Sequence, residues 1–401
     1  MRLPVVVLAP LLLVSLGATD APCTGPGCDP LVAWATKLAL ARSAPGARPL
    51  HILQIGDSHT AGDAFTGAWR ALLQAGAGAG GRGVLPPGRP YDGYLARGVT
   101  ISMSPGWRVA ATFGPGSAAP RPPLGLSGFS ITSNQPGATI GLVATPAMAF
   151  DRFILCAMAG PGAAGLTVRA AAGNTDIDLT ADMAAPRCTT LHWDTPQAAV
   201  DVVAAGGPVT ITSWASFRDQ GGVALSNLGV VGSQIQHFAR TSDAVLAEEL
   251  RAYSPDLIVI AFGTNEGFSP RFDAFAYEAG LRAQLGRIHA LMPDAPILLL
   301  GAPGALSRQP ALHVPGVTEC GDGLFAPAPL AQVRAVQRKV AADLGLAFWD
   351  WQARMGGPCA ARQWVASGRM RGDYVHFTSA GGVALAQLLQ EDLRQVEVEA
   401  Y

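Results

Sequence analysis

The sequence predicts an α/β protein, a doubly wound parallel sheet interrupted by an inserted all-β sandwich. Three observations predict it. Runs that are apolar on both faces, Leu50-His51-Ile52-Leu53-Gln54-Ile55 and the stretch from Pro255 to Phe262, read as central parallel strands. From residue 223 onward, apolar runs of this kind alternate with helical spacings. Between residues 96 and 222 that alternation stops. Short period-two runs, such as Val99-Thr100-Ile101-Ser102-Met103 and Val209-Thr210-Ile211-Thr212, are separated there by Gly, Pro, Ser and Asn.

The elements follow in order. Residues 1–21 read as an export signal. Arg2 is the positive region, and the apolar run from Leu3 to Leu16 is short for a bilayer span. Pro4 and Pro10 argue against a buried helix there, and Gly17, Ala18 and Ala21 offer cleavage sites. No other segment is long and apolar enough to span a membrane, so a soluble exported protein without stable membrane insertion is expected. The α/β domain is assigned to 22–95 and 223–401, and the insertion to 96–222. A helix is expected over 29–42, with Asp29 as N-cap and Pro30 in the first turn. A strand at 49–55 and a helix from Ala64 to Gln74 follow. The Gly- and Pro-rich stretch from Gly76 to Gly93 reads as loop. After the insertion come a strand at 255–262, a helix at 271–291, a strand at 297–300, a helix at 329–344, a strand at 346–349 and a helix from Ser379.

Composition narrows the function. The chain is 49% apolar and only 14% charged, so it buries sizeable cores and is not disordered. A net charge of -1 with no basic block argues against a nucleic-acid partner. An even set of cysteines in an exported chain suggests disulfides. Nearest neighbours give Cys23–Cys28, Cys156–Cys188 and Cys320–Cys359, although sequence order alone leaves other pairings open. The spacings contain no Cys-x-x-Cys or His-x-x-x-His, so a metal site is discounted. No cofactor is expected, and the oligomeric state is left open.

Two short motifs carry the chemistry. Gly56-Asp57-Ser58-His59 places a serine after a buried strand, and Asp373-Tyr374-Val375-His376 places an acid and an imidazole on one loop before the last helix. Together they supply a nucleophile, a base and an orienting carboxylate. Acyl transfer also needs donors aimed at the developing oxyanion. Two segments suit that need: the turn after Asn227-Leu228-Gly229-Val230-Val231-Gly232, and Gly263-Thr264-Asn265-Glu266 at the end of the most apolar strand. Ser58, Asn265 and the loop holding Asp373 and His376 all fall at the carboxyl edge of the sheet, where open α/β sheets bind ligands.

Taken in order, these four segments resemble the SGNH (GDSL-type) hydrolase superfamily. The resemblance covers residues 49–75 and 223–390 and implies an SGNH-type three-layer fold. It implies Ser58 as nucleophile, His376 as base and Asp373 as its partner, with an oxyanion hole of the Ser58 N–H, the Gly232 N–H and the Asn265 amide. Two positions depart from the usual pattern: Glu266 follows Asn265 where an Asp is usual, and His59 follows Ser58 where a Leu is usual. Both are accommodated by a narrower resemblance, carried by Gln54 to Asp63, Gly229 to Gln234 and Phe262 to Glu266. It is to bacterial peptidoglycan O-acetyl esterases, exported enzymes with a carbohydrate-binding-like β-sandwich inserted after the nucleophile block. That resemblance implies a serine esterase removing O-acetyl groups from a cell-wall glycan through an acetyl-serine. Other readings stay open: esterases of polysaccharides such as xylan, peptidoglycan O-acetyltransferases, and a non-catalytic glycan-binding protein on the same scaffold.

Each residue also has a plainer reading. Ser58 could cap a helix. His59 reads as structural, packing against the site, and His51 as a satisfied core histidine. Asn227 and Gln234 either line the site or shape a turn. Trp107, Trp193 and Trp214 either stack on sugar rings or fill the core of the sandwich.

Overall fold

The computed structural model describes residues 30–44, 46–118 and 121–399. The expected export signal, the Asp29 cap and the Cys23–Cys28 pair lie outside the described residues. The helix expected at 29–42 is described as Val32–Ser43 and buries Trp34, Ala35 and Leu38.

Five parallel strands form the α/β sheet, in the spatial order Val223–Gly229, Leu50–Gly56, Leu257–Ala261, Ile297–Leu300 and Ala347–Trp349. The chain begins in the second position, steps to one side, and then crosses back to build outward on the other. This reversal puts a topological switch point between Leu50–Gly56 and Leu257–Ala261, the place where such sheets take ligands. Both strands are buried along their whole length, which explains why they are apolar on both faces apart from His51 and Gln54 of the first. Helices Val32–Ser43, Phe65–Ala77 and Ser379–Glu399 pack on one face around Trp34, Phe65, Trp69 and Leu385. Helices Asp243–Tyr253, Ala274–Leu291 and Ala328–Asp343 pack on the other, around Leu246, Leu281 and Val333.

The insertion is a sandwich of two antiparallel sheets. One is built on Phe150–Ala159 and Val209–Phe217, the other on Thr139–Ala144 and Ala199–Ala204. Trp214 is wholly buried and Trp107 nearly so, while Trp193 packs part-buried against the same core, so the packing reading holds for these rings. Adjacent strands of the first sheet are linked by the Cys156–Cys188 disulfide.

Several elements differ from the sequence reading, and three of them bear on the sheets and the insertion. Within the expected loop 76–93, Gly83–Leu85 forms a strand that pairs with Val209–Phe217, so the sandwich recruits residues before 96. Three residues are too few to display a period. The second is Val223–Gly229, an edge strand of the main sheet although Ser226 and Asn227 break its apolar run. Ser226 is satisfied by tertiary partners: its Oγ lies 2.8 Å from His51 Nε2 and accepts the Val84 N–H at 2.7 Å. The third is the helix Asp243–Tyr253, capped by Ser242, which the sequence reading does not assign.

Insertion and α/β domain share a core. Ile154, Cys156, Ala215 and Phe217 of the sandwich belong to the same buried cluster as Leu246, Tyr253 and Ile258. Buried hydrogen bonds cross the junction: Leu126 N–H to Glu249 Oε2 at 2.7 Å, Thr112 Oγ1 to the His237 carbonyl at 2.6 Å, and Ser213 Oγ with Tyr253 Oη at 2.6 Å.

Candidate active site

After Gly56 the chain makes one helical turn, Ser58–Ala61. The cap is Asp57, whose Oδ1 accepts the His59 N–H at 3.0 Å, so the reading of Ser58 as a cap is set aside. Ser58 occupies the first position of that turn, just past the central strand. Gly229 lets the turn sit close against the neighbouring strand, because a Cβ there would fall 2.1 Å from the Ala61 nitrogen.

Ser58 Oγ lies 3.1 Å from His376 Nε2, and His376 Nδ1 lies 2.8 Å from Asp373 Oδ2. The other carboxylate oxygen, Asp373 Oδ1, accepts the Val375 and His376 N–H groups, each at 2.9 Å. Burial pushes this carboxyl up, but those backbone bonds and the imidazole outweigh it and hold the group below its ordinary value. An ionised Asp373 assigns the proton of His376 to Nδ1 and leaves Nε2 to accept from the Ser58 hydroxyl. The loop is closed by the Arg371 N–H on the His376 carbonyl (2.8 Å) and the Tyr374 N–H on the Arg371 carbonyl (3.0 Å). Residues 318 apart in sequence thus share one hydrogen bond.

His59 points elsewhere. Its ring packs 5.3 Å from Phe377, 5.5 Å from His376 and 5.8 Å from Trp351. Burial, then the neighbouring His376, pushes it down to about 3, so it is a neutral packing surface. His51 is likewise buried and bonded at both ring nitrogens, to the Tyr253 carbonyl and Ser226 Oγ.

The other two segments meet beside the serine. Strand register pairs Gly56 with both Gly229 and Ala261, which brings the following turns to one edge. In the first turn the Ser233 N–H donates to the Val230 carbonyl at 3.0 Å, and Gly232 takes φ +77, a conformation other residues seldom adopt. Asn265 Nδ2 donates to the Ser233 carbonyl at 2.9 Å, which uses one of its two amide hydrogens. Glu266 Oε1 accepts the Ile235 N–H at 2.8 Å, tying the same two segments together. Burial raises the Glu266 carboxyl to about 7, and its Oε2 has no partner among the described residues. Among the described residues, neither the Ser58 nor the Gly232 N–H is spent on a backbone carbonyl.

Two residues are read from the sequence as either lining the site or shaping a turn. Asn227 is buried; its Oδ1 accepts from Arg82 and Arg70, and its Nδ2 donates to the Thr60 carbonyl at 3.1 Å. It braces the serine turn from below and does not line the site. Gln234 donates from Nε2 to the Asn265 carbonyl at 3.3 Å and lines a separate cavity of about 230 Å³ with Glu266, Arg271 and Phe272. The cavity at Ser58 is about 430 Å³ and is lined by His376, His59, Tyr91, Val231 and Arg371, among others. Tyr91 and Arg371 were not anticipated. Tyr91 falls in the stretch read as loop, while Arg371 lies only two residues before Asp373, where a search along the same loop could have found it. Among the described residues, no cluster of three or more His, Cys, Asp or Glu is arranged to hold a metal ion.

The second disulfide, Cys320–Cys359, joins the hairpin strand Thr318–Gly321 to the residue before the helix Ala360–Ala366.

The GDSL-like Lipase/Acylhydrolase family matches residues 189–382, a span that holds Gly232, Asn265, Asp373 and His376. Together with the fold and the hydrogen-bonded serine, this supports the SGNH (GDSL-type) hydrolase superfamily as the class the chain resembles, and the chain is a carboxylic ester hydrolase. Within that class it is similar to a solved peptidoglycan O-acetylesterase, at 26% identity and a TM-score of 0.76, over 93% of this chain and 97% of that one. An acetyl xylan esterase overlaps less, at 18% identity and TM-score 0.33 over 42% of this chain and 81% of the other. A family two carbohydrate esterase from Cellvibrio japonicus gives 15% identity and TM-score 0.28 over 76% and 99%. No curated protein matches by sequence.

Proposed function

We propose that the protein is an exported esterase that removes O-acetyl groups from a cell-wall glycan, O-acetylated peptidoglycan. The observation that carries the reading is the continuous hydrogen-bonded series Ser58–His376–Asp373 at the wall of an open cavity. The similarity to a peptidoglycan O-acetylesterase runs through the insertion as well as the α/β domain, and it points to the substrate. Two disulfides and the apolar N-terminal run favour an extracytoplasmic location.

In this reading Ser58 Oγ attacks the acetyl carbonyl carbon while His376 Nε2 takes its proton. The Ser58 N–H, the Gly232 N–H and the unspent hydrogen of the Asn265 amide meet the oxyanion. As the intermediate collapses, the C–O bond to the sugar breaks, and His376 returns the proton to the departing sugar oxygen. A water, deprotonated by the same imidazole, then releases acetate and restores Ser58.

The test is acetate release from O-acetylated peptidoglycan and from O-acetylated xylan, by the wild-type protein and by Ser58→Ala. Release from peptidoglycan is expected to be the faster. Ser58→Ala should lower it by roughly 10⁴- to 10⁶-fold, because the three groups act as a unit. An active Ser58→Ala protein sinks the mechanism, faster release from xylan sinks the substrate, and loss of acetyl groups without free acetate identifies a transferase.

A further inference from the structure

Arg371 stands in the wall of the Ser58 cavity and is exposed there. Among the described residues its guanidinium has no hydrogen-bond or ion-pair partner. Asp373, two residues on, does not supply one, because its oxygens are committed to His376 and Val375. The other arginines nearby are occupied. Arg308 lies over Tyr374 at 5.4 Å, Arg369 over Trp364 at 5.5 Å, and Arg97 donates to Ser379 Oγ at 3.0 Å.

The backbone of Arg371 is held firmly. Its N–H bonds the His376 carbonyl and its own carbonyl accepts from Tyr374, so the loop that orients the imidazole also fixes where this cation starts. A guanidinium presents planar, paired donors that match a carboxylate and is always charged. A neutral acetylated sugar offers it no counter-charge. Tyr91, in the same cavity, supplies an aromatic surface suited to a sugar ring. The site therefore joins an ester-cleaving centre, a ring platform and one unneutralised cation.

We propose that Arg371 is a specificity-determining residue that binds a carboxylate on the substrate, so that the site selects acetylated glycans carrying an acid group over neutral ones. This rests on the reading of the site as a glycan O-acetyl esterase.

The experiment uses one substrate in two forms: soluble O-acetylated peptidoglycan fragments with free carboxylates, and the same fragments with the carboxylates amidated by methylamine. Acetate release is followed for wild type, Arg371→Gln and Arg371→Lys. Amidation should lower the wild-type kcat/KM by roughly 10- to 100-fold, chiefly through KM, the range expected for one charge-assisted contact. For Arg371→Gln the two forms should differ by no more than about twofold, and Arg371→Lys should recover part of the discrimination. Increasing salt should narrow the wild-type preference and leave the Gln variant's ratio unchanged. Equal wild-type rates on the two forms, or a discrimination retained by Arg371→Gln, overturns the proposal while leaving the esterase reading standing. No acetate release by wild type from either form overturns both.

Discussion

Asn265 has two amide hydrogens, and the structure spends one of them on the Ser233 carbonyl. That bond steadies the turn carrying Gly232, so a single side chain both shapes the proposed oxyanion hole and contributes to it. Asn265→Ala should lower kcat by roughly 10²- to 10³-fold with KM little changed, since the oxyanion exists only in the transition state. Steady-state kinetics on p-nitrophenyl acetate reads this, and a normal kcat would remove Asn265 from the chemistry. Glu266 beside it makes a different prediction. Burial raises its carboxyl from 4.5 to about 7, so between those values the native protein holds a proton that the unfolded chain has lost. Its contribution to stability is complete below pH 4.5 and fades as pH rises through 7. His51, lowered to about 4, acts in the opposite sense, favouring the native state above pH 6.5 and losing that effect in acid. Glu266→Gln removes the first slope and keeps the second. Thermal melts should therefore show the variant gaining on wild type from pH 4.5 to pH 7.5; parallel curves would contradict the assignment. At this scale the sequence was legible where chemistry demands a residue type. Ser58, Asp373 and His376 stood out because few side chains suit a nucleophile, a base and its partner, and the structure brings the three together. Of the two readings of Asn227, its bonds favour the bracing of a turn, and nothing in its neighbours announces the two arginines, Arg70 and Arg82, that claim it from 157 and 145 residues away.

Elements were legible when one face or both were uniformly apolar. The strand Leu257–Ala261 and the helix Ala274–Leu291, opened by Asp273 bonding the Phe275 and Ala276 N–H groups, needed no tertiary knowledge. Val223–Gly229 did, because its polar residues are acceptable inside only through partners on other strands. The hairpin and helix joined by Cys320–Cys359 show how a bridge adds to the core, in which Cys320, Ala361 and Trp364 are buried. The helix Ala360–Ala366 passes its Trp364 carbonyl to the Arg369 and Met370 N–H groups, and Met370 then bridges to Phe377, the residue after His376. Replacing both cysteines by serine should cost about 2–4 kcal/mol, since the bridge closes a loop of moderate length in the unfolded chain. Urea denaturation measures it, and an unmoved midpoint would mean that the bridge adds nothing to the native state's advantage.

For the whole molecule, the insertion is structural as much as appended. Glu249, wholly buried, accepts the Leu126 N–H, and Tyr253 meets Ser213. Excising residues 86–217 behind a short Gly-Ser linker would leave that carboxylate and hydroxyl unmatched beside Leu246 and Leu250, now facing water. The trimmed chain is expected to be unfolded or aggregated by circular dichroism and size-exclusion chromatography. A trimmed chain that folds and cleaves p-nitrophenyl acetate would show the two parts to be independent. The sequence revealed an insertion through its change of period, but a shared core has no period, so the joint itself was invisible.

The strand order carries a consequence for time. Leu50–Gly56 is made early, yet its lateral neighbours, Val223–Gly229 and Leu257–Ala261, are made long afterwards, and the imidazole for Ser58 comes 318 residues later. Parallel pairing over such separations forms slowly, because loop entropy is lost before contacts reward it. The nascent chain thus carries its serine as an inert hydroxyl until His376 has been made. In the proposed mechanism competence arrives only with the loop of Asp373 and His376, so the polypeptide remains chemically silent until that loop has been made.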